Sequence, residues 1–384
     1  MKRNPDVLDR LAPLFESPGR GFEDLLRRRD KRQRARKIGA IALVTVIAAT
    51  FVGAALRSGD GRNRQPADPS EKLGIFAPVA GRIVFQNDGS DFGYHRGLWA
   101  VDPAGSEDPF EGPIVDDEIA SSLVQLRSVD AVPLAWSSDG TELLIMRTIG
   151  DQYEGPPARL LYILQADGSE TQVTPEPMFI HSATISPDGS RVVYARWADE
   201  SGMPGMYAVD AEGGRTVILR RDDDLMAPTF SPDGTQIAYV DEVDGKDNIN
   251  PVWVMGADGN NAHQIVSSDR IPPGFVYGLE WSPVGDRIAL GVRRYLEDES
   301  PSAIYTFASD GSDLKRAITH AYLPNWSPDG SQIAYSVDCS RHPDGCSSVF
   351  EIVGDEDKLA VSDRDGSDAR VFGFATSGPW HPDN

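Results

Sequence analysis

Cysteine is nearly absent from this chain, with two in 384 residues, and long apolar runs are scarcer still. The two thiols, Cys339 and Cys346, have the six residues Ser-Arg-His-Pro-Asp-Gly between them. That excludes a disulfide-dense scaffold, and it supplies too few ligands for a zinc site. A disulfide closing a short loop in an oxidising compartment and a pair of free thiols are both compatible with this spacing. No Gly-x-Ser-x-Gly elbow occurs, so a serine hydrolase of the α/β type has no nucleophile here. The six histidines, His95, His181, His263, His320, His342 and His381, stand singly, without the short His-x-x-x-His pairing of a helical metal site. Motifs therefore point to no catalytic residue, no metal and no cofactor, and the expectation is a protein that is not an enzyme.

Basic residues are short in the body of the chain but plentiful at its start. The formal charge is −22. Residues 1–37 hold twelve Lys or Arg against six Asp or Glu; with Arg57 set aside as well, the remainder from 58 onward carries about −29. An acidic body repels phosphate backbones, which argues against nucleic-acid binding by the larger part.

Between these oppositely charged parts lies the one long uncharged apolar run, the nineteen residues from Ile38 to Leu56. As a helix rising 1.5 Å per residue it is just long enough for a hydrocarbon core of about 30 Å. The cluster Arg27-Arg28-Arg29-Asp30-Lys31-Arg32-Gln33-Arg34-Ala35-Arg36-Lys37 precedes it, and positive charge stays on the cytoplasmic side during insertion. The reading is a single-pass plasma-membrane protein with a cytoplasmic tail at 1–37, a transmembrane α-helix at 38–56 and a polar linker at 57–75. Residues beyond the linker are then extracytoplasmic. Gly53-Ala54-Ala55 leaves a cleaved signal peptide as the rival, although so long a basic region is unusual for one. No cysteine follows the run, which rules against a lipoprotein anchor. In the tail, Val7, Leu8, Leu11, Leu14 and Phe15 recur at helical spacing, a face suited to a cytoplasmic partner or to the inner leaflet.

From residue 76 the chain is rich in what all-β proteins need. The turn Ser-Pro-Asp-Gly occurs unaltered at 186–189, 231–234 and 327–330, and altered at 137–140, 282–285 and 381–384. Each turn but the last is followed by a short apolar strand, such as Arg191-Val-Val-Tyr194 or Gln332-Ile-Ala-Tyr335. A second Gly-containing turn recurs downstream, at 102–105, 165–168, 210–213, 256–259, 308–311 and 363–366. Two hairpins per unit make four antiparallel strands, one blade of a propeller, and six units make six blades. The sixth Ser-Pro-Asp-Gly-like turn has no strand after it, while Gly81-Arg-Ile-Val-Phe85 is a strand with no turn before it. The expectation is that the segment around Phe374–Trp380 completes the blade begun by residues 81–116 and closes the ring over 76–384.

The stretches Ile185-Ser-Pro-Asp-Gly-Ser-Arg-Val-Val-Tyr194 and Trp326-Ser-Pro-Asp-Gly-Ser-Gln-Ile-Ala-Tyr335 resemble the β-propeller repeats of the TolB family and its WD-like relatives. The resemblance covers about 76–384. It implies a six-bladed propeller of the bacterial cell envelope that binds other proteins. The separate α/β domain of the TolB pattern is missing, so that family's particular partner is not implied. Prolyl-oligopeptidase-type enzymes resemble the same repeat, but their hydrolase motif is missing too.

Function is expected where the loops between second and third strands meet the connections between blades. Those loops are acidic with aromatics among them: Tyr153, Glu154, Trp197, Asp199, Glu200, Asp244, Asp247, Tyr295, Glu297 and Asp298 are the candidate residues for an envelope protein or small ligand. Three readings follow: a non-catalytic binding module, a propeller whose channel holds a hydrolase or lyase site, or a regulator acting through residues 1–37. Asp363-Arg-Asp-Gly-Ser-Asp368 resembles a calcium loop only superficially and reads as a hairpin turn.

Overall fold

The serine of each Ser-Pro-Asp-Gly turn caps the strand that follows it. In the computed structural model, Oγ of Ser186, Ser231 and Ser327 donates to the aspartate two residues on at 2.6–2.7 Å and accepts the backbone N–H five residues on at 2.9–3.0 Å. The same aspartate accepts the backbone N–H and the hydroxyl of the Ser or Thr after the glycine. Ser137, Asp139 and Thr141 repeat the arrangement. Glycine is required at the fourth position: φ at Gly189 is +69°, and a Cβ there would lie 2.0 Å from Oε2 of Glu142 in the preceding blade. Residue choice in the repeat thus follows from a closed set of local hydrogen bonds.

The structure describes residues 73–87, 97–103, 123–127, 131–149, 158–197, 202–222, 225–241, 251–293, 301–338, 358–371 and 378–382. Among them are 23 strands in six antiparallel sheets. Blade 1 holds β1 (Ile83–Asn87), β2 (Gly97–Val101) and β3 (Leu123–Arg127); blade 2 holds β4 (Val132–Trp136), β5 (Glu142–Ile149), β6 (Ala158–Gln165) and β7 (Glu170–Gln172). Blade 3 is β8 (Ile180–Ile185), β9 (Arg191–Arg196), β10 (Gly205–Asp210) and β11 (Val217–Arg220). Blade 4 is β12 (Leu225–Phe230), β13 (Gln236–Asp241), β14 (Val252–Gly256) and β15 (His263–Val266). Blade 5 comprises β16 (Phe275–Trp281), β17 (Arg287–Arg293), β18 (Ala303–Ala308) and β19 (Lys315–Thr319). Blade 6 comprises β20 (Ala321–Trp326), β21 (Gln332–Val337), β22 (Lys358–Asp363) and β23 (Arg370–Val371). First strands pack on one another in succession, β4 on β8, β8 on β12, β12 on β16 and β16 on β20, and form the innermost ring. The all-β, six-bladed architecture is thereby established.

Second strands carry unbroken apolar runs because each is buried on both faces. In β5, Leu144 and Met146 belong to the core between blades 2 and 3, while Leu143 and Ile145 belong to that between blades 1 and 2. β13 divides likewise, with Ile237 and Tyr239 toward blade 3 and Ala238 and Val240 toward blade 5. Six apolar clusters among the described residues correspond to six blade interfaces, the last joining Ile83, Phe85 and Val101 to Ala334, Leu359 and Val361. Each such Leu, Ile or Val contributes roughly 1.5–3 kcal/mol by leaving water.

Blade 1 has three strands from its own stretch of chain, and the end of the described residues lies along its inner edge. Ile83 bridges Trp380, Val84 N–H donates to Pro379 O at 3.1 Å, and His381 N–H donates to Arg82 O at 2.9 Å. Trp380 Nε1 reaches Gly81 O at 2.8 Å. The outer strand of this blade is β3, so the blade runs to Arg127 and not to 116; its turn at 102–105 is followed by a longer connection than in other blades. The folded body also begins earlier than residue 76. Leu73, Phe76 and Val79 are buried with Leu98, Leu143 and Leu164, and Ile75 N–H donates to Ala166 O at 2.8 Å. Residues 1–72, with the tail at 1–37 and the apolar run at 38–56, lie outside the described residues. No helix among the described residues is long and apolar enough to cross a membrane.

Candidate functional site at the loop face

The two faces of the ring are built differently. One carries the Ser-Pro-Asp-Gly turns, and at Ser137, Ser186, Ser231 and Ser327 the serine hydroxyl is held by the turn's own aspartate. The opposite face collects the starts of first and third strands and the ends of second and fourth strands. Here the innermost strands depart from regular pairing: register shifts fall at Pro133/Ala135, Ile180/Ser182, Met226/Thr229, Val276/Leu279 and Tyr322/Asn325. Bulges of this kind re-aim side chains. Ala227 and Leu323 sit at φ +50° and +51° within two of them, a conformation that costs a non-glycine residue of order 1–3 kcal/mol.

Arginines stacked on aromatic rings line this face. Between blades 2 and 3, Arg159 Nη1 donates to Ile180 O at 2.5 Å, and the guanidinium of Arg196 lies 5.9 Å from the Tyr207 ring. His181 meets Trp197 edge-on at 4.9 Å. Burial, and then the nearby charge of Arg159, push its pKa down to about 4. Between blades 3 and 4, Arg220 lies 5.9 Å from the Tyr239 ring and 5.7 Å from that of Trp253, with Asp241 at 3.7 Å. Between blades 5 and 6, Arg293 stacks over Tyr322 at 4.8 Å and Tyr277 at 5.7 Å, rings that themselves meet edge-on at 5.3 Å. Trp197, Tyr277 and Met203 remain 40–46% exposed. Of the rings beneath these guanidinium groups, Tyr239, Tyr322 and Tyr207 are buried and Tyr277 is exposed.

Deeper in the ring, on β16, Glu280 accepts the Trp326 N–H of blade 6 at 2.6 Å. Burial raises its pKa to about 8, against the smaller opposing effect of that hydrogen bond.

Of the candidates read from sequence, Trp197 is the one among the described residues, and it lies just past the end of β9 on this face. Tyr153, Glu154, Asp199, Glu200, Asp244, Asp247, Tyr295, Glu297 and Asp298 lie outside the described residues, as do Cys339 and Cys346. The described part of the face is arginine and aromatic in character, which the acidic loop composition did not foreshadow. The signal was present in the sequence: Arg196, Arg220 and Arg293 each close a strand after an apolar run. His381 is buried in the serine position of its turn. Its Nε2 lies 3.1 Å from Gly140 O, and its ring sits 4.5 Å from that of Trp136. Asp363–Asp368 forms a hairpin in which Asp365 accepts from Ser367 N–H and Oγ. No three His, Cys, Asp or Glu side chains gather among the described residues.

The propeller is similar in structure to those of TolB proteins. A TolB-type protein of Agrobacterium tumefaciens superposes with a TM-score of 0.51 at 20% identity, covering 68% of this chain and 89% of that one. TolB of Acinetobacter baumannii gives 0.54 at 15% identity, over 78% of this chain and 66% of its own. A chain of a nidogen–laminin complex gives 0.50 at 8% identity, covering 78% and 96%. At such identities the likeness is one of fold. No family model matches the chain, and no curated protein matches its sequence.

Proposed function

We propose that this protein is a membrane-anchored, extracytoplasmic propeller of the bacterial cell envelope that acts as a non-catalytic binding module, with its partner received on the loop face. The observation that carries the reading is the composition of the loop face, where Trp197, Tyr277 and Met203 are exposed and Arg293 lies over the Tyr277 ring. Rigid aromatic and arginine side chains are the usual centres of binding energy at protein interfaces. The anchor rests on the composition of 38–56 and its basic flank, and the placement of the propeller outside follows from that orientation.

The test has two arms. Protease added to intact spheroplasts should digest the propeller and spare residues 1–37; digestion of neither part before lysis overturns the topology. In-situ crosslinking should then capture an envelope protein or ligand that a Trp197→Ser, Tyr277→Ser variant loses. Capture of a cytoplasmic protein alone, held by residues 1–37, would make the chain a transmembrane regulator instead.

Glu280 gives a specific reason to keep a channel enzyme as the second reading. A carboxyl on the innermost strand that stays protonated to about pH 8 is a competent general acid. Glu280→Gln in the native membrane should leave partner capture unchanged under the first reading, and should abolish any turnover under the second.

A further inference from the structure

The seams between blades are packed differently at one place on the turn face. At three seams the glycine of the second turn is pressed against the outer strand of the preceding blade: a Cβ on Gly259, Gly311 or Gly366 would run into the carbonyl oxygen of Leu219, Ile265 or Ala317. Between blades 6 and 1 the matching pair is the start of β23 and the turn that opens at Asp102. There the structure leaves a cavity of about 270 Å³. Asp329 and Arg370 on its rim are exposed, so it is reached from solvent.

The walls define the guest. Trp380 donates its indole N–H to Gly81 O at 2.8 Å, so toward the cavity it offers ring carbon only. Pro328 adds further carbon surface. Among the hydrogen-bonding groups, Asp102 and Asp329 accept, Arg370 donates and Gln332 does both. Hydrogen bonds from Ser327 and then Ser331 hold the Asp329 carboxyl below the usual carboxylate range, and its Oδ2 takes one of them, from Ser331 Oγ at 2.8 Å. Two carboxylates against one guanidinium disfavour an anion, and Arg370 beside them disfavours a simple cation. A hydroxyl donates and accepts alike. A ring with hydroxyls at its edge and C–H on its faces matches both kinds of wall. The volume, below the roughly 300–1,000 Å³ of drug-sized sites, suits one such ring.

We propose that the seam between blades 6 and 1 is a binding site for one uncharged sugar residue, with its C–H face on Trp380 and Pro328 and its hydroxyls on Asp102, Asp329, Gln332 and Arg370. The site is separate from the partner surface on the loop face. Because Trp380 also bridges Ile83 to close the ring, a bound sugar stabilises the closure.

The full-length protein in a sugar-free detergent is titrated calorimetrically with glucose, galactose, mannose and N-acetylglucosamine, and with glucosamine as cation, glucuronate as anion and alanine as zwitterion. At least one neutral sugar should bind saturably and raise the thermal midpoint, with the three charged probes weaker by at least about tenfold. A tetrasaccharide of the preferred sugar that binds as tightly assigns the site to the end of a glycan chain, and one that does not bind assigns it to a free sugar; either supports the site. Arg370→Gln, on the exposed β23, and Asp102→Asn should each weaken binding by about fivefold or more. Trp380→Leu should remove it, and where that variant fails to fold the two rim variants decide. No saturable binding by any of the four neutral sugars overturns the proposal, as does tighter binding of a charged probe or unchanged affinity in both rim variants.

Discussion

At Ser282 the repeat has kept its serine and lost its aspartate. Val284 stands where Asp188, Asp233 and Asp329 hold the hydroxyl in other blades, and Ser282 Oγ is buried with no partner. Val284→Asp should therefore restore the local bond and raise stability by about 1 kcal/mol, read from chemical denaturation midpoints. Ser327→Ala, at an intact turn, should lower it by a similar amount. Two buried ionisable groups give opposite pH dependences. Glu280 titrates near 8 when folded, above its ordinary 4.5; the native state holds the extra proton between those values, so stability falls as pH rises through them. His181 titrates near 4, below 6.5; the native state holds fewer protons there, so stability falls as pH falls. The two oppose each other below pH 6.5, and from 6.5 to 8 Glu280 acts alone. A single proton sets a ceiling of about 1.4 kcal/mol per pH unit on the slope in that window, and the partial exposure of Glu280 keeps the slope below it. Denaturation at pH 6.5, 7.2 and 8 should show the decline, and Glu280→Gln should flatten it; an unaltered slope in the variant contradicts the assignment.

Among the elements, ring closure depends on the short segment 378–382. It supplies the inner edge of blade 1 through Pro379, Trp380 and His381, and His381 fills the gap beside Gly140. Deleting residues 378–384 exposes that edge and strips the core between blades 6 and 1, so the thermal midpoint should drop well below that of any single-turn variant. Much of this level was legible in the sequence. Ser-Pro-Asp-Gly fixes a hairpin by its own hydrogen bonds, and a short apolar run after it has one way to be buried. The bulges in the innermost strands were not legible, because Ala227 and Leu323 are not residues that local chemistry places at positive φ. Tertiary contact imposes that conformation: the blade 6 bulge fits against Gly291, where a Cβ would lie 2.8 Å from Pro324 Cδ. The stacked arginines were hidden for a similar reason. Arg220 and Trp253 are 33 residues apart in the chain and meet only because neighbouring blades face each other.

At the scale of the whole molecule, a closed ring frees one face from any structural duty. Six interblade cores carry stability, the turns lock one side, and the loop side is left to vary. The arginine–aromatic clusters lie on that side, where second and fourth strands end and first and third strands begin. The central claim is that this side is the binding surface. It is tested most directly by placing a photo-crosslinking amino acid at Trp197 or Tyr277 on the loop face, or at Val284 on the turn face, in the native membrane. The account predicts a discrete envelope adduct from positions 197 and 277 and none from 284. Adducts from position 284 alone, or equally from all three, would contradict it.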